Sequence, residues 1–187
     1  MIKKILIGLV VVVGVFAAYV AKKPSHYSVT RSTVISAPAS VVFPHVNDLS
    51  KWEAWSPWAK KDPQAKTTLE GPKAGVGAIS RWAGNKDVGE GSMTITESKS
   101  NELIRIRLDF LKPMKSTSDV EFTFKAQDKK NTSVTWTMSG ESNFIGKAMC
   151  TFMGDMDKMV GGDFEAGLAG IKSIAEAQVA PKTKKKK

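Results

Sequence analysis

Residues 104–110 read IRIRLDF and alternate strictly between apolar and polar side chains. The apolar positions are Ile104, Ile106, Leu108 and Phe110, and every position between them is charged. Because successive side chains of a β-strand point to opposite faces, this period of two predicts a strand with one buried and one solvated face. Such strands are typical of antiparallel sheets that cover a core on one side only.

Further strand candidates with turn residues at their ends lie on both sides of this stretch. They are residues 27–35 (YSVTRSTVI), 75–83 (GVGAISRWA), 91–98 (GSMTITES), 120–124 (VEFTF) and 134–138 (VTWTM). Pro38 permits a short helix after the first of them, and Pro44 limits it. The sequence therefore predicts an antiparallel sheet of about six to seven strands.

The hydrophobic period then changes to three or four residues, which predicts one amphipathic helix over 156–178. The apolar positions of this helix are Met156, Val160, Phe164, Leu168, Ile171 and Ala175. Four glycines interrupt it, and glycine is unfavourable in a helix interior. They indicate either a close approach of the helix to the sheet or a helix with space beneath it. We expect the helix to pack on the apolar face of the sheet, giving an α+β fold.

Several short motifs accompany this order of elements. They are residues 35–38 (ISAP), 41–43 (VVF), 47–49 (NDL), 52–58 (WEAWSPW), 62–63 (DP), 75–77 (GVG) with Trp82 and Gly84, and 162–168 (GDFEAGL). Over residues 27–178, the chain resembles the helix-grip fold of the START and pollen-allergen-like superfamily, also called SRPBCC. Within it, the motifs look like the bacterial polyketide cyclase/dehydrase-type subgroup. The resemblance implies a curved sheet wrapped on the terminal helix, with an apolar cavity between them.

Large apolar side chains are candidates for the wall of that cavity. The predicted ligand-binding residues are Trp82, Phe110, Phe122, Trp136 and Met138 on the strands, and Phe152, Met153, Met156 and Phe164 at and near the start of the helix. Four of the eight methionines lie within residues 149–159, and flexible methionine suits a surface that repacks around variable ligands. The alternative is that these side chains fill the core completely.

Residues 5–21 form an uncharged, mostly apolar run with a lysine pair on each side. As a helix they would span about 25 Å, slightly less than a hydrocarbon core of about 30 Å, and snorkelling lysines would cover the difference. This predicts a single-pass transmembrane anchor within residues 1–23. A cleaved signal peptide and a buried helix are the alternatives. The short basic leader favours a domain on the non-cytoplasmic, periplasmic side of the cell membrane.

The formal charge of +10 comes almost entirely from the two ends of the chain. Nine of the 28 basic residues lie there, which leaves 19 basic and 18 acidic residues within 24–181. The predicted domain, residues 24–178, therefore carries no electropositive signal for nucleic acid. The lysine-rich tail, 179–187, is predicted to be disordered, and it acts either as a solubilising end or as a contact for anionic lipid.

Recognisable catalytic and metal-binding patterns are missing from the sequence. Cys150 is the only cysteine, and His26 and His45, the two histidines, lack metal-ligand spacing. The carboxylates that follow Asp155 do not match a calcium loop and are interpreted as helix N-terminal charge. There is neither a nucleophile elbow nor a dinucleotide loop. We therefore expect no cofactor and no metal, and we assign no catalytic residue.

These features together predict a membrane-tethered module that binds a lipid-like or aromatic small molecule between the sheet and the terminal helix. A cyclase or dehydratase-type enzyme that uses the same cavity is the alternative. A tethered interaction module with a filled core is a third possibility.

Overall fold

The computed structural model describes residues 2–181, except for the side chain of Met153. The strands are β1 (His26–Ile35), β2 (Lys66–Glu70), β3 (Ile79–Ala83), β4 (Glu90–Lys99), β5 (Leu103–Lys112), β6 (Ser116–Ala126) and β7 (Thr132–Glu141). The helices are α1 (Ile2–Lys22), α2 (Ala39–Val42), α3 (Pro44–Asn47), α4 (Pro57–Lys61), α5 (Phe144–Met153) and α6 (Met156–Val179), with a 3-10 helix at Leu49–Ala54. The predicted tail beyond residue 181 lies outside the described residues.

The seven strands form one antiparallel sheet in the order β1-β7-β6-β5-β4-β3-β2. The predicted α+β fold with a curved sheet and a long terminal helix is confirmed. One local prediction was wrong, and one strand was not predicted. Residues 75–78 form a turn before β3, with Gly75 and Gly77 at positive φ, and the exposed strand β2 lacked the apolar alternation that would have revealed it.

The strand register aligns the inward side chains in rows across the sheet, and four neighbouring rows, beginning with that of Trp82, position the site. The first row is Trp82, Gly91, Phe110 and Ser116. The second row is Ser80, Met93, Leu108, Ser118, Gly140 and Tyr27. The third row is Ile95, Ile106, Val120, Met138 and Val29, and the fourth row is Ile104, Phe122, Trp136 and Arg31.

Helix α6 packs on the inner face of the sheet with Phe164, Leu168, Ile171 and Ala175 buried. The glycines of α6 allow its backbone to approach the sheet closely, and they do not mark space beneath the helix. A Cβ on Gly167 would lie 2.8 Å from Cζ3 of Trp136, and one on Gly170 would lie 3.0 Å from the carbonyl oxygen of Trp55. Larger residues would therefore push α6 away from the core.

The segment between β1 and β2 covers the part of the core that α6 leaves open. Trp52 and Trp55 are buried there, and their indole nitrogens donate to the carbonyl oxygens of Val46 and His45, both at 2.9 Å. This segment therefore acts as a structural plug, with its polar ring atoms satisfied by the chain's own backbone.

Candidate functional site

Six aromatic rings fill the space between the fourth row and α6. Trp136 stacks on Phe164 with centroids 4.1 Å apart, and on Phe122 with centroids 4.7 Å apart. Trp52, Trp55 and Trp58 meet the ring of Trp136 edge to face, with centroids 5.8 to 6.4 Å away. We call these six rings the aromatic cluster. A ligand between Trp136 and Phe164 would have to separate two rings in contact.

One polar atom of the aromatic cluster is unsatisfied. Nε1 of Trp136 is buried and has no hydrogen-bond partner among the described residues. The Cζ3 edge of this indole faces Gly167, so Nε1, on the opposite long edge of the ring, points away from α6. Buried donors without a partner are rare and require an explanation.

The first and second rows form an open apolar surface at one end of the sheet. Met93 and Leu108 are only partly buried, as are Trp82 and Phe110, whereas the third row is at most 5% exposed. The reason is the position of α6. It contacts the fourth row through Phe164 on Trp136 and through Asp157 and Glu165 on Arg31. The first row, three rows away, stays uncovered, and its large side chains are partly exposed.

Two aromatic side chains lie over glycines on this open surface. The ring of Trp82 covers Gly91, where an added Cβ would lie 2.5 Å from Cζ2, and meets Phe110 edge to face at 5.8 Å. Tyr27 covers Gly140, and its hydroxyl lies 2.7 Å from Oγ of Ser118 in the same row. The surface thus combines apolar side chains with a few hydroxyls, of which those of Tyr27 and Ser118 are hydrogen-bonded to each other. We call it the open groove.

The structure describes the surroundings of eight of the nine predicted ligand-binding residues. Trp82 and Phe110 line the open groove, Met138 lies in the adjoining third row, and Met156 packs against the core at the start of α6. Phe122, Trp136 and Phe164 belong to the aromatic cluster. Phe152 lies outside the space between sheet and α6, with its ring 5.3 Å from Phe16 of α1. The side chain of Met153 lies outside the described part.

Sequence reasoning did not assign four residues of the open groove, Tyr27, Met93, Leu108 and Ser118, to the site. Tyr27 and Ser118 are 91 residues apart, so no local pattern indicated that they meet. Met93 also received no assignment, because its strand mixes small and polar residues. Only the pairing of β1 with β7 and of β7 with β6 brings the two hydroxyls together.

Arg31, at the β1 end of the fourth row, ties the sheet to the start of α6. Its guanidinium donates to Asp157 at 2.7 and 2.9 Å and to Glu165 at 2.7 Å. Hydrogen bonds to Asp157 and then to Glu165 raise the pKa of Arg31, and the same contact with Arg31 lowers the pKa of Asp157. Each of these carboxylates is paired with the guanidinium of Arg31. We therefore interpret the three charges as a structural contact between β1 and α6.

The outer face of the sheet carries a separate network of ion pairs. Arg105 bonds Glu97 and Glu121 across neighbouring strands, and Arg107 bonds Asp109. A shallow groove of about 430 Å³ lies among them, lined by Thr96, Arg105, Ile106, Asp119, Val120, Glu121, Thr137 and Ser139. A second cavity of about 70 Å³ lies beside Leu49, Leu69 and Ala78. Neither is between the sheet and α6.

Metal binding finds no support in the part of the chain that the structure describes. Residues 2–181 bring together no group of three or more histidine, cysteine or carboxylate side chains that would hold an ion. Asp155 instead caps α6 by accepting from the backbone N–H of Lys158 at 3.0 Å, as its position at a helix start predicts.

The order of elements, the grip of the sheet on α6 and the apolar inner face can be compared with known families. The family described as polyketide cyclase / dehydrase and lipid transport matches residues 26–176. The chain belongs to this family. Members of the polyketide cyclase / dehydrase and lipid transport family thus share the elements from β1 to the last turn of α6. No curated protein matches the chain.

Solved structures confirm the fold of this family member at low sequence identity. The Zhui aromatase/cyclase from Streptomyces sp. R1128 has a TM-score of 0.61 at 14% identity, over 84% of this chain and 98% of that chain. A protein from Thermobifida fusca has a TM-score of 0.60 at 18% identity, over 81% and 95%. A protein from Thermus thermophilus has a TM-score of 0.57 at 16% identity, over 82% and 100%.

One helix, α1, is long and apolar enough to cross a membrane, and a signal sequence would pass the same test. Only 6% of its most apolar window is buried in the structure. A helix that packed in the core of a soluble protein would be mostly buried, so this low burial argues against the buried helix that was one alternative to the anchor.

Proposed function

We propose that this chain is a membrane-tethered module that binds a hydrophobic small molecule, lipid-like or aromatic, in the open groove. The observation that carries the proposal is the partial exposure of four large apolar side chains on a concave sheet face, those of Trp82, Met93, Leu108 and Phe110. Apolar concave surfaces with few polar groups are typical of ligand sites. The membrane tether would be α1, single-pass, with the domain on the periplasmic side.

The location differs from the one that the sequence predicted. The aromatic cluster is close-packed, and opening it would forfeit ring contacts that hold α6 to the sheet. The open groove needs no such rearrangement, because α6 already leaves it uncovered. Of the predicted residues, Trp82, Phe110, Met138 and Met156 would contact the ligand, and the cluster would form the closed end of the site.

Polar recognition in this proposal belongs to the hydroxyl of Tyr27, whose side chain is partly exposed. Ser118, which is buried beside Leu108 and Gly140, holds that hydroxyl at 2.7 Å, where a carbonyl or hydroxyl of a mostly apolar ligand would meet it. The same pair supports the alternative function, a cyclase or dehydratase-type enzyme, since hydroxyls next to a bound carbonyl can orient or protonate it. Recovery of the bound molecule unchanged after prolonged incubation favours the binding module, and recovery of a cyclised or dehydrated product favours the enzyme.

The binding proposal is tested by a pair of neighbouring substitutions on β5. Phe110 faces the open groove, whereas Leu111 points to the other face and is 51% exposed. We expect Phe110→Glu to weaken binding of a dansyl-labelled fatty acid at least tenfold, because the charge would be poorly solvated against an apolar ligand. Leu111→Glu should change the affinity less than twofold.

The measurement is energy transfer from tryptophan to the dansyl group, with the full chain in lipid nanodiscs and empty nanodiscs as background. Circular dichroism must show that both variants are folded. Equal affinities of the two variants, or no binding by the wild type, would contradict the proposal and favour an interaction module with a filled core.

A further inference from the structure

Helix α5 exposes large apolar side chains. Phe144, Ile145 and Phe152 are 48%, 58% and 79% exposed, respectively. The start of this helix is capped, because the side chain of Asn143 accepts from the backbone N–H of Gly146 at 2.9 Å. Contiguous apolar exposure on a short, capped helix marks a surface for a membrane or a partner.

The exposed side of α5 is continuous with the apolar surface of α1. The rings of Phe152 and Phe16 lie 5.3 Å apart, and Nζ of Lys147 donates to the carbonyl oxygens of Ala21 and Lys23, both at 3.1 Å. The start of α5 thus contacts the end of α1, and the end of α5 contacts an earlier turn of α1. The two helices therefore run antiparallel. Among the residues of α1, Phe16 and Ala17 are partly buried, Val20 is buried, and the others are exposed.

These contacts fix the depth of α5 relative to the apolar run of α1. Phe16 lies five residues before Ala21, the end of that run, which is about 8 Å along the helix axis. Tyr19 and Lys23 stand near the end, with the ammonium 5.2 Å from the ring centre, an arrangement typical of the headgroup level. Phe152 therefore lies level with the acyl chains when α1 spans a bilayer, within the 5–10 Å depth of interfacial helices.

We propose that α5 dips into the bilayer beside α1 and inserts Phe152 among the acyl chains, with Phe144 and Ile145 about 10–12 Å nearer the domain at the headgroup level, which rests on the proposed tether. The occupant is lipid rather than protein because the exposed rings continue the surface of a membrane span. Insertion ends at Gly154, since Asp155, Asp157 and Lys158 follow directly and are exposed. As α5 follows β7, whose last residues border the second row, the open groove would lie beside the headgroups.

Single-cysteine labelling of the full chain in phosphatidylcholine vesicles tests this inference. Cys150→Ser removes the only cysteine, and Phe152→Cys or Ile145→Cys then carries an environment-sensitive nitrobenzoxadiazole label. Lys129→Cys is the matched control, because it lies in the β6–β7 turn at the opposite end of β7 from α5. Flotation of the vesicles first shows whether the chain is membrane-bound.

We expect the label at 152 to be quenched by nitroxide-bearing lipids and to be at least fivefold less accessible to iodide than the label at 129, with the label at 145 between the two. Equal iodide quenching at all three positions would overturn the inference and leave the tether and the groove intact. Shielding from both quenchers would also overturn it, because α5 would then pack against a second copy or another protein. A chain that does not float with the vesicles would contradict the tether itself.

Discussion

Trp136 of β7 and Phe164 of α6 lie in parallel contact, with ring centroids 4.1 Å apart and an interplanar angle of 6°. This stack joins β7, the strand next to the β1 edge of the sheet, to the gripping helix. Because both side chains are at most 2% exposed, it forms the closed end of the proposed site. The position of α6 on this stack determines how much of the sheet stays open.

The closeness of α6 to this stack predicts opposite effects for two glycine substitutions. We expect Gly167→Ala to lower the free energy of unfolding by about 1–3 kcal/mol, because its Cβ would clash with a well-packed indole. Gly162→Ala is the control: it has no atom within 4 Å of the added Cβ, and it should raise stability by about 0.4–1 kcal/mol. Urea unfolding of the two variants measures the difference, and equal effects would contradict the close approach.

The hydroxyl pair of the open groove predicts a coupled effect on stability. Tyr27→Phe would leave Oγ of Ser118, which is 2% exposed, without its partner at 2.7 Å. We expect a loss of about 1–3 kcal/mol, and a smaller loss for the double variant Tyr27→Phe/Ser118→Ala, in which no buried hydroxyl is orphaned. A double-mutant cycle gives the coupling energy. Strict additivity would mean that the pair does not form.

His45 predicts a loss of stability on mild acidification. Burial lowers the pKa of this side chain below its ordinary value, an effect that contact with Gln178 only partly offsets. The unfolded chain, with an ordinary pKa of about 6.5, therefore takes up a proton first as the pH falls. We expect the free energy of unfolding to decrease from pH 7.5 to 5.5. The decrease should be smaller in His45→Asn, and similar slopes in the two proteins would contradict the assignment.

The apolar helix α1 predicts that the full-length chain is an integral membrane protein. It should remain in the membrane fraction after a carbonate wash, and its intact mass should match all 187 residues. A mature chain that begins near Ala18 would instead identify α1 as a cleaved signal. That result would contradict both the tether and the proposed insertion of α5.

The fold was predictable because its signals are local. Alternation at residues 104–110 and the three-to-four period from Met156 onward determine which faces are buried. The short motifs along the chain indicated the family. Strand β2 was missed because its five residues are all exposed, so no buried face shaped their pattern. Helix α5 escaped notice because its apolar residues turn outward, whereas a core interpretation of the methionine-rich stretch assumes that they turn inward.

The site was only partly predictable, for a geometric reason. Strand alternation correctly indicates that Phe110, Phe122 and Trp136 share the inner face, but it does not give the distance of each from α6. That distance depends on where α6 begins relative to the rows, and this separates Phe110 in the open groove from Trp136 in the aromatic cluster. The meeting of Tyr27 with Ser118 depends on two strand pairings at once.

Photocrosslinking tests the central claim most directly, that a hydrophobic molecule occupies the open groove. The full chain in nanodiscs is irradiated with a diazirine-bearing fatty acid, and the modified peptides are mapped by mass spectrometry. The account predicts adducts at Met93, Leu108 and Phe110, and competition by the unlabelled fatty acid should reduce them. Adducts confined to α1 and α5, or spread evenly over both faces of the sheet, would contradict it.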